Sequence, residues 1–229
     1  WSYCFINFSR MMQMNHNTIR ISVRNLVEFV LRSGDIDNSF MSMSRAVEGT
    51  RAHQRVQKSY GPEYKAEVSL KHIVEYEQFT ILLEGRADGI ISYDGKTIID
   101  EIKSTTKDLE TIEEDYNPLH WAQAKIYGYI YGVQNKIDDI NIQLTYVSIE
   151  TEECKIFIKE FTNSEIEDFF YYIINKYIEL ANMTFYWAGV RDETIKNLQF
   201  PFNEYRKGQR ELAVAAYTTI SERKKIFAQ

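Results

Sequence analysis

Two carboxylates, Asp88 and Glu101, occupy positions where one β-hairpin would place them face to face. Asp94-Gly95 lies between two apolar runs, and Asp-Gly is the pair most favoured in a two-residue type I′ hairpin loop. If Tyr93 pairs with Lys96 across this loop, counting back along both strands sets Asp88 opposite Glu101. Two unit charges ~5 Å apart repel by roughly 3 kcal/mol at an effective dielectric of about 20. A divalent cation between the two carboxylates would turn this repulsion into attraction.

The neighbours of Glu101 on the second strand divide between the two faces of the sheet. Successive side chains of a strand point to opposite faces, so Lys103 is predicted to share the face of Glu101. Asp100 has the opposite parity and is predicted to face away. Hard oxygen ligands such as these two carboxylates suit Mg²⁺ or Mn²⁺.

An Asp followed by Glu-x-Lys on the next strand resembles the PD-(D/E)xK nuclease superfamily, here as Asp88 and Glu101-Ile102-Lys103. Two further motifs narrow the resemblance to the RecB-type branch, namely Gly-x-x-x-His at Gly49 and His53 and Gln-x-x-x-Tyr at Gln123 and Tyr127. Each motif is common by chance, whereas the ordered set is specific. The resemblance implies an α/β fold with a restriction-endonuclease-like core, a central mixed β-sheet flanked by helices.

The resemblance also implies roles for these residues in a metal-dependent nuclease. Asp88, Glu101, the backbone carbonyl of Ile102 and His53 would bind Mn²⁺ or Mg²⁺, and the imidazole favours Mn²⁺. Lys103 would orient the attacking water and stabilise the charge that develops on the phosphate.

Gln123 and Tyr127 complete the catalytic set that the resemblance implies. They would hold the water, Lys103 or the DNA backbone from a neighbouring helix. The substrate implied is DNA, in single-stranded form, and no separate cofactor-binding residues are predicted.

Composition limits the class of protein. The chain has 229 residues, 44% of them hydrophobic and 14% aromatic, which is sufficient for a substantial core. No run approaches the roughly 18 apolar residues of a membrane span and no secretory signal is evident, so we expect a cytoplasmic protein without a membrane partner. The net charge of -6 argues against a general nucleic-acid coat protein.

A local basic patch could nevertheless contact phosphates. Its candidates are Arg20, Arg24, Arg45, Arg51, Arg55, Lys58 and Lys107. The two cysteines, Cys4 and Cys154, cannot build a four-thiolate cluster, so no iron-sulfur cluster is expected in this chain.

Helices are predicted where polar caps precede apolar periodicity. They run from Ser22 as N-cap to about Arg32, with Gly34 as the stop, from about Ser42 to Tyr60, from Asn117-Pro118 onward, and from near Glu165 onward. Gly49 within a helix is unfavourable by ~1 kcal/mol relative to Ala, and a close approach of another backbone would explain it.

Strands are predicted where apolar and polar residues alternate and the helical period is absent. They are Glu67–Tyr76, Phe79–Gly85, Asp88–Tyr93, Lys96–Lys103, Ile142–Ile149 and Lys155–Phe161. The charged stretch from Lys107 to Tyr116 is predicted to be a surface loop.

Three segments are predicted along the chain. Residues 1–13 are expected to be an upstream or artificial segment, residues 14–198 the nuclease domain, and residues 199–229 the start of a truncated helicase motor domain. The last segment resembles the opening of XPD/DinG-type superfamily 2 helicases in Phe200-Pro201-Phe202 and in residues 205–210. No phosphate-binding loop of the form G-x-x-x-x-G-K-[ST] follows, so this chain alone is not a P-loop ATPase.

A second class of function competes with the nuclease. The acidic net charge and the aromatic residues between Phe169 and Tyr177 are also compatible with a non-catalytic scaffold that binds DNA or a partner and positions the helicase. Binding of Mn²⁺ would separate the two interpretations.

Overall fold

The computed structural model describes residues 18–33 and 43–227. Six strands form one sheet: β1 (Thr18–Ser22), β2 (Tyr64–Glu75), β3 (Thr80–Tyr93), β4 (Lys96–Thr105), β5 (Asp139–Ser148) and β6 (Cys154–Thr162). The α-helices are α1 (Val23–Leu31), α2 (Met43–Ser59), α3 (Pro118–Asn135), α4 (Asn163–Lys196) and α5 (Gln209–Ser221). The predicted segment 1–13 and the predicted helix stop at Gly34 lie outside the described residues.

The sheet is mixed, with order β1-β3-β4-β5-β6 and β2 paired to β3. Strand β3 is parallel to β1, β4 is parallel to β5, and the remaining pairs are antiparallel. Helices cover both faces, so the predicted α/β class with a restriction-endonuclease-like core is confirmed. Parallel pairs require such crossover connections, here through α3 between β4 and β5.

The two helical layers pack on opposite faces of β4 and β5. On one face, Ala52 and Val56 of α2 pack against Ile102 and Val147. On the other face, the backbone of α3 at Gly128 approaches Ile142 of β5. The alternation of side chains along β4 therefore directs neighbouring residues into different layers.

The hairpin between β3 and β4 has the predicted register. Tyr93 pairs with Lys96 and Gly89 with Asp100, while Asp94 and Gly95 adopt φ angles of 50° and 74° at the turn. Positive φ at both central positions is the requirement of a type I′ turn, which Asp-Gly meets with little strain.

Side-chain caps start three of the helices where the sequence predicted them. The Ser22 hydroxyl accepts a hydrogen bond from the Asn25 N–H, and the Asn117 side chain accepts one from the Leu119 N–H. Thr162 and Glu165 exchange hydrogen bonds as a capping box at the start of α4. Local chemistry thus fixes where α1, α3 and α4 begin.

Two features of the sheet differ from prediction. The runs Phe79–Gly85 and Asp88–Tyr93 were expected to be separate strands, but β3 is continuous because β2 pairs with it from Thr80 to Ile91. The short strand β1 was not predicted, since its parallel pairing with β3 is non-local and five residues carry little periodicity.

The chain divides into two compact units, Trp1–Asn182 and Met183–Gln229. The described part of the first unit contains the sheet, α1 to α3 and most of α4. In the second unit, the rings of Phe200 and Tyr205 stack at 4.3 Å between centroids, and helix α5 follows. None of the helices described is both long and apolar enough to cross a membrane.

Candidate active site

The candidate site lies where β3 loses its neighbours on one edge. Strand β1 pairs with β3 at residues 80–84 and β4 pairs with it at residues 89–93, both on the edge opposite β2. Among the strands that the structure describes, none pairs with residues 85–88 of β3 on that edge. The backbone groups of these residues are available to side chains, and a fork opens there between β3 and β4.

Asp88 occupies this fork. Its position in the register is opposite Glu101, one step beyond the last ladder pair, and its Oδ2 accepts a hydrogen bond of 2.8 Å from the Ile102 N–H. Its Oδ1 lies 3.5 Å from Nδ1 of His53. The Asp88 carboxylate thus replaces the next backbone pair of the ladder and meets a histidine from α2.

Glu101 is buried beside Asp88, with 1% of its surface exposed. One carboxylate oxygen, Oε1, pairs with the Lys103 ammonium, while Oε2 is buried and has no hydrogen-bond partner among the described residues. Burial raises the pKa of Glu101 to about 7, against the opposing charge of Lys103 and with a smaller contribution from Asp88. An acceptor left without a donor in this way is costly, by roughly 1–3 kcal/mol.

The predicted helical residues approach Lys103 from α3. The Gln123 Oε1 lies 3.5 Å from Lys103 Nζ, at the limit of a hydrogen bond. Burial, followed by the Glu101 carboxylate, raises the pKa of Tyr127 above its usual value, against smaller effects of hydrogen bonding to the Arg86 backbone and Gln123. Gln123 therefore connects Tyr127 to Lys103.

Gly85 makes room for the Tyr127 ring. A Cβ atom at position 85 would lie 2.6 Å from Tyr127 Cε1 and 2.8 Å from its hydroxyl oxygen. Because Tyr127 is 3% exposed and enclosed, its ring has little room to withdraw.

Substituting Gly85→Ala is therefore expected to lower the free energy of unfolding by about 1–3 kcal/mol, as overpacking does. Gly189→Ala is the matched control because nothing lies within 4 Å of its added Cβ. In helix α4 that change should be neutral or stabilising by up to ~1 kcal/mol. Urea denaturation of both variants measures the difference, and equal stability would contradict the packing described.

Helix α2 brings Gly49 and His53 to the site on one face. A Cβ at Gly49 would lie 2.9 Å from Ser104 Oγ, so the close neighbour is a side chain of β4 and not the backbone that the sequence predicted. The contact involves only the Ser104 hydroxyl, since Ser104 Cβ is 3.9 Å away. Gly49 thus lets α2 lie close to β4 and carries His53 to Asp88.

Gln57 is a site residue that the motifs did not indicate. Its Nε2 donates to the backbone carbonyl of Asp88 at 3.0 Å and to Glu67 Oε1 at 2.9 Å. It satisfies a carbonyl in the unpaired part of β3, and its spacing of four residues after His53 places both on one face of α2. That spacing is the sequence signal that could have revealed it.

A cleft of about 1200 Å³ opens onto Asp88, His53, Lys103 and Gln123. Basic residues in its lining, besides Lys103, are Arg24, Arg32, Arg45, Arg86 and Lys107. Of the predicted basic patch, Arg24, Arg45 and Lys107 thus reach the cleft. By contrast, Arg20 lies 3.9 Å from Glu84, and Arg55 forms an ion pair of 3.0 Å with Glu152.

The donor atoms of the fork are those that a divalent cation prefers. Across residues 18–33 and 43–227, no three His, Cys, Asp or Glu side chains converge as a complete metal centre. The two carboxylates of the fork are nevertheless hard oxygen donors, and Glu101 Oε2 is a buried acceptor without a donor. These residues therefore fit a divalent cation held by two carboxylates and completed by backbone or imidazole.

Comparisons with known proteins found no matching family model and no matching curated protein. Among solved structures, the protein SSO0001 has 19% identity and a TM-score of 0.45, over 70% of this chain and 76% of that one. A phage-related exonuclease from Haemophilus somnus 129PT has 14% identity and a TM-score of 0.41, over 72% of this chain and 82% of that one.

Proposed function

We propose that this chain is a metal-dependent DNA nuclease domain that hydrolyses phosphodiester bonds. The observation that carries the proposal is the fork between β3 and β4, where Asp88 and Glu101 meet with Lys103 and one buried Glu101 oxygen has no donor. If Glu101 had only a structural role, no function would compensate for the cost of that unsatisfied oxygen.

Asp88, Glu101, the Ile102 carbonyl and His53 are the residues that would hold Mn²⁺ or Mg²⁺. Asp88 Oδ2 is engaged by the Ile102 N–H, so Oδ1 and the free Glu101 Oε2 are the carboxylate oxygens left for it. The chemistry supplied by such an ion is neutralisation of phosphate charge and a lowered pKa of water.

Lys103 is the proton-handling and charge-stabilising group of the proposed reaction. Glu101 and Gln123 hold its ammonium from two sides, which limits the orientations of the side chain. An ammonium fixed beside a scissile phosphate can orient the attacking water and stabilise the developing negative charge without reorganisation. Gln123 and Tyr127 act through Lys103 and are positioning residues.

The proposed substrate is DNA, with the single strand favoured by the resemblance to RecB-type nucleases. The cleft supports a polyanionic substrate locally despite the acidic chain, because it gathers several arginines and lysines around the acids. The predicted union with an ATP-dependent helicase rests on residues 200–210 and stays a prediction. The Arg206 N–H there donates to Gln209 Oε1 at 3.0 Å.

Removal of metal is the direct test. Labelled single-stranded DNA should be cleaved with Mn²⁺ or Mg²⁺, and an excess of EDTA should abolish cleavage because the carboxylates then lack the cation they require. Isothermal titration should show Mn²⁺ binding that Asp88→Ala weakens at least roughly tenfold. Cleavage unaffected by EDTA would contradict the proposal.

A non-catalytic scaffold is the second candidate, and two observations favour it. No complete group of three metal-binding side chains converges in the part of the chain described, and the pKa of Glu101 is raised to about 7. A proton on Glu101 would then relieve its repulsion with Asp88 without a metal. DNA binding without Mn²⁺ binding would identify the scaffold.

A further inference from the structure

Tyr146 lies beside the candidate site on the neighbouring strand. In the parallel ladder between β4 and β5 it pairs with Lys103, so the two side chains share one face of the sheet. Adjacent strands are separated by about 4.8 Å, and both residues line the cleft, in whose wall Tyr146 is 1% exposed. A phosphate bound at the Lys103 ammonium would therefore lie on the same face of the sheet as Tyr146, beside the neighbouring strand.

The N-terminal cap of α3 fixes the orientation of a side-chain amide. Asn117 Oδ1 accepts the Leu119 N–H at 3.0 Å, so the amide nitrogen Nδ2 must be on the other side. There it lies 3.1 Å from Nε2 of His120. Since an amide NH₂ only donates, Nε2 of His120 must be the acceptor.

This contact determines the tautomer of His120. In a neutral imidazole with an accepting Nε2, the proton is on Nδ1. Nδ1 lies 2.9 Å from the Tyr146 hydroxyl oxygen and must donate to it. The relay therefore runs from Asn117 through His120 to Tyr146, with each donor direction set by the one before.

The Tyr146 O–H is consequently available to donate to an acceptor other than His120. Its lone pair receives the His120 N–H, so the O–H cannot point at His120. In the described residues no other hydrogen bond of this hydroxyl is found. The acceptor has to come from what enters the cleft.

We infer that the Tyr146 hydroxyl is a further substrate-binding group, which donates its hydrogen bond to a phosphate oxygen of the DNA strand next to Lys103. Asn117 and His120 are positioning residues that aim it. The inference rests on the proposed function for the identity of the substrate, but the direction of the relay does not depend on it.

The protonation states agree with the direction of the relay. Burial lowers the pKa of His120 to about 3, and the charges of Lys103 and Arg24 add to this effect. Burial raises the pKa of Tyr146 to about 12. The imidazole is then neutral and the phenol protonated throughout the pH range in which nucleases are assayed.

The tautomer can be measured without DNA or metal. Long-range ¹H–¹⁵N correlation spectra should show His120 protonated at Nδ1 only, with no change between pH 8 and pH 5. Spectra of His120→Asn and His120→Leu assign the signals. A proton on Nε2, or a doubly protonated ring at pH 5, would overturn the inference.

Binding of DNA tests the tyrosine itself. Tyr146→Phe should weaken binding of a short single-stranded oligonucleotide roughly 10- to 100-fold, the usual effect of a lost hydrogen bond to a charged group. Fluorescence anisotropy with Ca²⁺ in place of Mn²⁺ measures it. Tyr129→Phe is the matched control, because that hydroxyl contacts Tyr171 at 3.4 Å and does not line the cleft.

A phosphate scan locates the contact. Oligonucleotides with a single methylphosphonate at successive positions should include one at which Tyr146→Phe no longer lowers affinity. His120→Asn, which keeps a donor near the Nδ1 position, should bind more tightly than His120→Leu. An equal effect of Tyr146→Phe at every position would overturn the phosphate contact.

Two measurements separate the tyrosine contact from the nuclease activity. If Tyr146→Phe binds DNA as tightly as the unaltered chain while Mn²⁺-dependent cleavage persists, the inference is wrong and the nuclease stands. If binding falls as expected but no cleavage occurs with any metal, the tyrosine contact stands and the nuclease is wrong.

Discussion

Glu101→Gln is expected to reduce Mn²⁺-dependent DNA cleavage by roughly 10²- to 10⁴-fold while leaving the fold intact. The side chains are nearly isosteric, and the glutamine carbonyl can still accept from Lys103. What is lost is the negative charge at Oε2, the buried oxygen that has no donor. An amide NH₂ at that place cannot bind a cation, so the proposed site would hold Mn²⁺ more weakly.

The measurement is the single-turnover cleavage rate at saturating Mn²⁺, with isothermal titration of the metal in parallel. Glu160→Gln is the matched control, since Glu160 is exposed on β6 and pairs with Asn141 away from the fork. It should cleave at the unaltered rate. Normal cleavage by Glu101→Gln would mean that the fork holds no catalytic ion.

Asp100→Ala is expected to lower the free energy of unfolding by about 3–5 kcal/mol. It removes none of the residues of the proposed active site. The fully buried Asp100 faces the layer of α2 and accepts hydrogen bonds from Thr145 at 2.6 Å, Tyr64 at 2.9 Å and Gln143 at 3.1 Å. Alanine would leave these donors buried without their acceptor.

Chemical denaturation measures this loss, with Asp138→Ala on the surface as the control. Asp100→Asn should be the milder change, because its amide oxygen can still accept from Thr145 and Gln143 while its nitrogen faces Tyr64 Oη. An Asp100→Ala protein as stable as the control would show that the cluster contributes nothing to stability.

The parts of the fold set by short-range chemistry were predictable. The turn at Asp94-Gly95 determines the register of β3 and β4, so the sequence alone predicted that Asp88 lies opposite Glu101. The opposite parity of Asp100 was correct for the same reason, and its carboxylate is buried among partners in the other layer. The caps at Ser22 and Asn117 likewise depend on only a few neighbouring residues.

The parts set by long-range contacts were not predictable. Nothing within Thr18–Ser22 announces a parallel partner in β3, and nothing between Gly85 and Asp88 shows that one strand edge is bare. The contributions of Gln57 and Tyr146 follow from that geometry, since one meets a carbonyl at the bare edge and the other lies beside Lys103. No single motif contains these relations.

Glu101 and Asp100 are adjacent in sequence but belong to different layers, and the turn at Asp94-Gly95 alone decides which of them meets Asp88. A slip of one residue in the register would set Asp100 opposite Asp88 and turn Glu101 toward the layer of α2. The exposed turn, several residues away, therefore determines which acid lies in the fork. In homologues, we expect the spacing from this bend to the two acids to vary less than the residues of the bend.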